Sequence, residues 1–181
     1  DGFGRNTPRD YSEIPFLPIE FFKTQQVTCG GDLFDLEFKS SGTNGANSTH
    51  HVKDKIIYES SFLNGIQLAY SDIKNRVVLA LLPNYVEQGS SSLVYMVDSL
   101  IKKSKFKESG FYLSDIDALI SVLEELERRK QPTLLLGVSY ALLDLAEKKN
   151  LKLRYTNVME TGGMKGRRKE MVRSELHLVL C

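Results

Sequence analysis

One short run of the sequence has the residue types that bind phosphate, namely Ser40-Ser41-Gly42-Thr43-Asn44-Gly45. Glycine lets a backbone approach phosphate oxygens closely, and Ser and Thr hydroxyls add donors to those of free backbone N–H groups. We refer to residues 40–45 as the glycine loop. No Gly-Lys-Ser or Gly-Lys-Thr sequence closes it, which argues against a P-loop nucleoside triphosphatase. We therefore interpret the glycine loop as a site for nucleotide phosphates, while an ordinary surface turn would have the same composition.

Two adjacent histidines, His50 and His51, follow the glycine loop. Neighbouring side chains point in different directions in regular structure, so both imidazoles cannot face one site. We therefore expect no metal site at this pair. A single imidazole here is a candidate contact for a phosphate or for an acyl substrate, and a solvated surface pair is the alternative.

The elements that would position these residues alternate between strands and helices. The glycine loop lies between a predicted strand, residues 33–39, and a predicted helix, residues 53–71, which is the order of elements around a phosphate-binding turn. Later strands are predicted at 76–82, 133–136 and 151–158, and later helices at 93–103, 115–129, 140–149 and 166–180. This alternation predicts an α/β fold with a mostly parallel sheet flanked by helices on both faces. Ligands of such sheets bind at the loops beyond the carboxyl ends of the strands.

Length and composition indicate a globular protein of ordinary type. The chain has 181 residues, 26% of them charged, and its formal net charge is +1. A balance this close to neutral argues against general attraction to nucleic acid or to an anionic membrane, and no apolar run is long enough to span a membrane. Two cysteines without metal-ligand spacing, Cys29 and Cys181, fit a reducing compartment, so we expect a cytoplasmic protein. We divide the chain into an irregular lead-in, residues 1–32, that packs on the core, and an α/β domain, residues 33–181.

Three motifs occur in order along the chain and together resemble one family. They are Pro-Phe-Leu-Pro-Ile-Glu-Phe-Phe-Lys at residues 15–23, Phe-Lys-Ser-Ser-Gly-Thr-Asn-Gly at 38–45 and Glu-Thr-Gly-Gly-Met-Lys-Gly-Arg at 160–167. In this combination the chain resembles the acyl-protein synthetases of the LuxE type. These are adenylate-forming ligases of bacterial bioluminescence that are related to phenylacetate-CoA ligases. The resemblance covers nearly the whole chain.

The resemblance implies an ATP-dependent reaction in two steps. A carboxylic acid, in this family a fatty acid, attacks ATP in the presence of Mg²⁺ to give an acyl-adenylate and pyrophosphate. The acyl group then passes to a protein thiol. In such an enzyme the glycine loop holds the ATP phosphates, and Thr161, Gly162 and Gly163 form a turn beside the adenine. Tyr85 matches the segment that borders the acyl group, and an acyl-CoA reductase is a candidate partner.

The resemblance leaves other outcomes open. The same adenylate serves acyl-CoA ligases, in which the accepting thiol belongs to coenzyme A. A nucleotide-binding or interaction module without catalysis is a further alternative. Members of the family continue into a Tyr-Gly-x-Thr-Glu motif and a mobile C-terminal domain that carries the acyl-accepting cysteine. We therefore expect residues 33–181 to be the N-terminal adenylation subdomain of such a protein, and to form little acyl-adenylate by themselves.

Overall fold

The computed structural model describes most of the chain. The described residues are 9–14, 16–28, 30–31, 33–40, 47–82, 90–162, 164, 168–169 and 171–180, with Arg173 described by its backbone alone. The chain divides into two compact units, Asp1–Asp54 and Lys55–Cys181. Residues 33–54, which we expected in the α/β domain, therefore fall in the first unit.

The first unit contains short helical turns and a two-stranded hairpin. A 3-10 turn at Tyr11–Glu13 and the four-residue helix α1, Phe21–Thr24, lie in its N-terminal part. Strands β1, Leu36–Lys39, and β2, Thr49–Val52, pair in antiparallel fashion. The residues between these two strands include the glycine loop.

One element beside the glycine loop was not predicted from the sequence. The helix predicted at residues 53–71 is present at Lys55–Tyr70, but the strand β2 that lies between it and the glycine loop was not predicted. The β-branched residues Thr49 and Val52 suit an extended strand, and pairing with β1 satisfies backbone groups that a helix start would leave open. Any backbone donors for a phosphate would therefore come from the loop itself and not from an adjoining helix.

The second unit is built on a four-stranded parallel sheet with the strand order β4-β3-β5-β6. Its strands are β3, Val77–Leu81, β4, Gly110–Phe111, β5, Thr133–Val138, and β6, Thr156–Thr161. Its helices are α2, Lys55–Tyr70, α3, Ser92–Lys103, α4, Ile116–Arg128, α5, Ser139–Lys148, and α6, Arg173–Leu180. Helices flank the sheet, which confirms the predicted α/β fold with a mostly parallel sheet.

The two central strands, β3 and β5, form the middle of the core. Every residue of both strands is buried, which explains why their sequences are continuous apolar runs without polar alternation. Helix α4 adds a stripe of buried residues, namely Leu119, Ile120, Leu123 and Leu126. The Asp115 side chain caps this helix by accepting a hydrogen bond from the backbone N–H of Ala118 at 2.9 Å.

Strand β6 begins at Thr156, whereas the apolar pattern predicts a start at residue 151. The side chain of Glu127 on α4 explains the difference. Its carboxylate accepts hydrogen bonds from the backbone N–H groups of Arg154 at 2.8 Å and Tyr155 at 3.0 Å, and from the hydroxyl of Thr156 at 2.8 Å. The segment before β6 is therefore held by α4, and pairing with β5 starts only at Thr156.

Candidate functional site

The carboxyl ends of β5 and β6 lie side by side at one edge of the sheet. Strand β5 passes directly into α5 at Ser139, and β6 ends at Thr161, which Gly162 follows. The register pairs Gly137 with Glu160. Because ligands of parallel α/β sheets bind at this edge, it is the candidate site of the second unit.

Ser139 and Glu160 form a hydrogen bond at this edge. Ser139 is 3% exposed, and its hydroxyl donates to Oε1 of Glu160. The hydroxyl of Thr161 donates to the backbone carbonyl of Gly137 at 3.4 Å. These bonds join the end of β6 to the strand–helix junction of β5 and α5. The Glu160 carboxylate has further lone pairs, so it can accept hydrogen bonds from an amino group or a hydroxyl of a ligand.

Two glycines near this edge have different surroundings. A Cβ atom on Gly137 would lie 2.7 Å from both Cγ and Cδ2 of Leu142, so the packing of α5 on β5 requires glycine there. A Cβ atom on Gly162 would meet no heavy atom of the described residues within 4 Å. Packing among the described residues therefore does not explain glycine at position 162.

The base of the glycine loop is described through Ser40 and Ser48. The backbone N–H of Ser40 donates to the carbonyl of Ser48 at 2.9 Å, and the N–H of Ser48 donates to Oγ of Ser40 at 2.9 Å. A hydroxyl accepts and donates at the same time, so the Ser40 hydroxyl can still donate its own proton. The other predicted phosphate contacts lie outside the described residues, namely Ser41, Gly42, Thr43, Asn44 and Gly45.

The two histidines of β2 have separate surroundings, as expected for adjacent residues of a strand. His50 is exposed, and its ring centroid lies 5.9 Å from that of Phe22. The ring centroid of His51 lies 4.4 Å from that of Phe34, and its Nε2 lies 3.2 Å from Oε2 of Glu37. Nδ1 of His51 is buried and has no hydrogen-bond partner among the described residues. His50 is therefore the histidine that a ligand could reach from solvent.

Arg168 contacts two carboxylates of α5. Its Nη1 lies 2.6 Å from Oε1 of Glu147, and its guanidinium also binds the carboxylate of Asp144. The hydrogen bond from Arg168 lowers the pKa of Glu147 below its usual range. Helix α6 begins at Arg173, not at residue 166 as predicted, so Arg168 precedes the helix. This ion cluster attaches the segment after β6 to α5.

The predicted site residues are thus distributed over both units. Thr161 and Gly162 lie at the sheet edge of the second unit, and the two histidines and the glycine loop lie in the first unit. Tyr85 and Gly163 are outside the described residues. Each unit therefore contributes predicted contacts of its own.

Sequence reasoning did not identify Ser139 or Glu160 as site residues. Their pairing depends on the register of two strands, which the sequence does not reveal. Two signals were nevertheless present. Ser139 lies at the boundary between a buried strand and a helix, and Glu160 is the first residue of the third motif.

Comparison with known proteins adds no relative. No family model matches the chain, and neither a curated protein nor a solved structure matches it. Within the described residues, no helix has the length and apolar character needed to cross a membrane. The same part of the chain contains no group of three or more His, Cys, Asp or Glu side chains that could hold a metal ion.

Proposed function

We propose that this chain is the adenylation part of an acyl-protein synthetase. Its reaction is the ATP-dependent activation of a carboxylic acid, in particular a fatty acid, as an acyl-adenylate, and the acyl group then passes to a protein thiol. The three motifs support this proposal because they combine a phosphate-binding loop with a glycine turn. The position of that turn at the carboxyl edge of a parallel sheet supports it further, since this is where α/β sheets bind ligands.

The residues at the sheet edge are suited to the base end of a nucleotide. Gly162 is exposed, and a Cβ atom there would meet no heavy atom of the described residues within 4 Å, so none of these residues keeps a flat ring away from its backbone. The Glu160 carboxylate, oriented by Ser139, can accept a hydrogen bond from the exocyclic amino group of adenine. This open glycine beside a fixed carboxylate is the single observation that carries the assignment of the edge to a nucleotide.

The glycine loop, which belongs to the first unit, has residue types that bind phosphate. Ser41 and Thr43 supply hydroxyl donors, and Gly42 and Gly45 allow close approach of backbone N–H groups. ATP bound with Mg²⁺ supplies the α-phosphate that the carboxylate of the substrate attacks, with pyrophosphate as the leaving group. The contribution of the chain itself is to bind and orient the nucleotide, which converts a bimolecular encounter into a positioned one.

Calorimetric titration of this chain with Mg-ATP tests the first half of the proposal. We expect saturable binding of one nucleotide per chain, with Mg-GTP weaker because guanine carries a carbonyl where adenine carries an amino group for Glu160. Binding of neither nucleotide, or equal binding of both, would contradict the assignment of the edge.

Pyrophosphate exchange tests the second half. With the full-length protein, radiolabelled pyrophosphate should enter ATP only when a fatty acid is present. Labelled fatty acid should then remain on protein after denaturation and be released by hydroxylamine, which cleaves thioesters. If the labelled acyl group is instead recovered on added coenzyme A and not on protein, the protein is an acyl-CoA ligase. Nucleotide binding without any exchange would leave it a binding module.

A further inference from the structure

Strand β6 is the outermost strand on its side of the sheet, because the order β4-β3-β5-β6 gives it a single neighbour among the described residues. The N–H of Thr133 donates to the carbonyl of Tyr155 at 3.0 Å, and Thr133 pairs with Thr156 in the parallel register. Backbone groups alternate in direction along a strand, so the N–H and C=O groups of Thr156, Val158 and Glu160 point away from β5. We refer to this outward row of backbone groups as the β6 edge.

The β6 edge lacks the features that commonly keep strand edges from pairing. Such edges are often blocked by proline, by lysine or by a bulge. The strand Thr156–Thr161 contains neither proline nor lysine, and its pairing with β5 continues through every residue without a bulge. Val158 is 44% exposed, and Leu178 of α6, which lines a groove beside β6, is 85% exposed. The edge therefore suits the addition of a strand, with apolar side chains beside it.

A second copy of the chain fits this edge. Two copies related by a two-fold axis pair their edges in antiparallel fashion, so that each contact occurs twice. With the axis at Asn157, Thr156 of one copy pairs with Val158 of the other. Both residues direct their N–H and C=O groups outward, and each such pair exchanges two backbone hydrogen bonds. An antiparallel strand at the edge of an otherwise parallel sheet is a common arrangement.

The same register brings opposite charges together. Glu160 of one copy lies opposite position 154 of the other. Arg154 is exposed there, and the ion pairs of the described residues do not include it. Opposite charges that face each other across two strands are stabilising, and the symmetry repeats the pair. An axis at Val158 would instead place Glu160 opposite Thr156 and lose both pairs.

We propose that two copies of this chain form a dimer by antiparallel pairing of their β6 edges about a two-fold axis at Asn157. The two parallel sheets then become one continuous sheet, and Arg154 of each copy lies beside Glu160 of the other. Self-pairing is favoured over the addition of an unrelated peptide, because it matches both the outward backbone groups and the charges. The net charge of +1 adds little repulsion between copies. The inference goes beyond the proposed function, and its test requires neither ATP nor a carboxylic acid.

Sedimentation equilibrium of the chain in the absence of nucleotide measures the dimer. We expect a dissociation constant on the order of 10 µM, since the interface is small. Val158→Lys adds a charge at the edge and should raise this constant at least about tenfold. The matched control is Leu68→Lys, which adds the same charge at an 89% exposed residue of α2 and should change the constant less than about twofold. Thermal unfolding checks that both variants are folded. A monomer at every concentration, or equal constants for the two variants, would overturn the proposal.

Arg154→Glu isolates the contribution of the charges. It places like charges opposite each other twice, so the dissociation constant should rise about five- to twentyfold at low salt, and added salt should reduce this loss. The matched control is Lys152→Glu, which makes the same change of charge at another exposed residue. This register places Lys152 opposite Gly162, so the control should change the constant less than about twofold. Equal losses in the two variants would refute the pairing of Arg154 with Glu160.

A cysteine at the two-fold axis reports the register directly. Asn157 faces its own copy as a non-hydrogen-bonded pair, with a Cα separation of about 4.5 Å, which a disulfide can span. In a background of Cys29→Ser and Cys181→Ser, Asn157→Cys should form an intermolecular disulfide on mild oxidation. Met159→Cys should not, because Met159 faces Tyr155 of the second copy. Cross-linking of Met159→Cys as complete as that of Asn157→Cys would contradict an axis at Asn157.

Discussion

The hydroxyl of Ser139 donates a hydrogen bond to the carboxylate of Glu160, which joins the first residue of α5 to the end of β6. The two residues are 21 positions apart in sequence. They meet because β5 and β6 are parallel neighbours with Gly137 paired to Glu160. The polar groups at the candidate site are therefore held in place by the sheet register. A substitution of either residue should loosen the contact between α5 and β6.

Ser139→Ala should destabilise the second unit by about 1–3 kcal/mol, because it removes a buried hydroxyl from a carboxylate and leaves that carboxylate without this donor. Urea unfolding followed by circular dichroism measures the loss. The matched control is Ser121→Ala, which removes an exposed hydroxyl that donates to the backbone carbonyl of Asp117 on α4. We expect the control to stay within about 0.5 kcal/mol of the parent. Equal losses of unfolding free energy in the two variants would show that the Ser139–Glu160 bond stabilises the fold no more than an exposed hydrogen bond does.

Alanine at Gly137 and at Gly162 should have opposite consequences. At Gly137 the new Cβ would lie 2.7 Å from Leu142, and overpacking of this kind costs about 1–3 kcal/mol. At Gly162 the new Cβ meets no atom of the described residues within 4 Å, and this glycine does not have a positive φ. Gly162→Ala should therefore keep the parent stability but weaken Mg-ATP binding, if the nucleotide occupies that space.

Paired measurements on the two glycine variants separate packing from ligand binding. Unfolding curves should distinguish Gly137→Ala from the parent and should not distinguish Gly162→Ala. Calorimetry with Mg-ATP should show the opposite order of effects for the folded molecules. An unchanged ATP affinity in Gly162→Ala would remove the turn after β6 from the proposed nucleotide site.

The central part of the fold could be predicted from the sequence because burial on both faces leaves a clear pattern. Residues 76–82 and 133–136 were predicted as buried strands, and β3 and β5 occupy Val77–Leu81 and Thr133–Val138. Helices α3, α4 and α5 also lie within a few residues of their predicted bounds. In these elements the apolar spacing is set by contacts with one continuous core.

The sequence-based predictions fail where contacts with residues distant in sequence determine the local structure. Strand β2 is only four residues long and depends on pairing with β1, so its sequence resembled the start of a helix. The start of β6 depends on the carboxylate of Glu127, which binds the backbone before Thr156. The candidate site has the same character, since the contact of Ser139 with Glu160 follows from strand register. The residue types in the sequence were enough to predict candidates for binding. The contacts that these residues make depend on the fold and could not be predicted from the sequence.

Acidification should weaken the attachment of Arg168 to α5. The hydrogen bond with Arg168 holds the pKa of Glu147 below its ordinary value of 4.5. A carboxylate whose pKa is lower in the folded state contributes stability that is present above the ordinary value and is lost as pH falls through the folded value. The unfolding free energy should therefore fall between about pH 5 and pH 3, and Glu147→Gln should make that fall shallower.

The control for this pH dependence is Glu175→Gln, which changes a glutamate of α6 that is not a partner of Arg168. Urea unfolding at several pH values gives the slope for each protein. Since Glu147 is largely exposed, with 59% of its side chain accessible, salt should reduce the difference. A slope in Glu147→Gln equal to that of the parent would mean that the Arg168 pair does not contribute to acid sensitivity.

Thr43→Ala tests the glycine loop, whose base is closed by the hydrogen bonds between Ser40 and Ser48. If the Thr43 hydroxyl donates to a charged phosphate, the lost bond is worth about 1.5–3 kcal/mol. Affinity for Mg-ATP should then fall by about one to two powers of ten, while the stability of the free protein changes little. Gly42→Val should reduce affinity further, because a branched side chain blocks the approach of the backbone to phosphate.

The matched control for the loop is Thr28→Ala, which removes a hydroxyl from another turn of the first unit, where Thr28 donates to the carbonyl of Gly31 at 3.1 Å. That variant should keep the parent affinity for ATP. Calorimetry and equilibrium unfolding on all three variants distinguish the two explanations of the loop. If the Thr43 hydroxyl only stabilises a turn, Thr43→Ala will lose stability as Thr28→Ala does and keep its ATP affinity per folded molecule. That result would remove the glycine loop from the proposed active site, because a phosphate-binding hydroxyl must affect the ligand more than the fold.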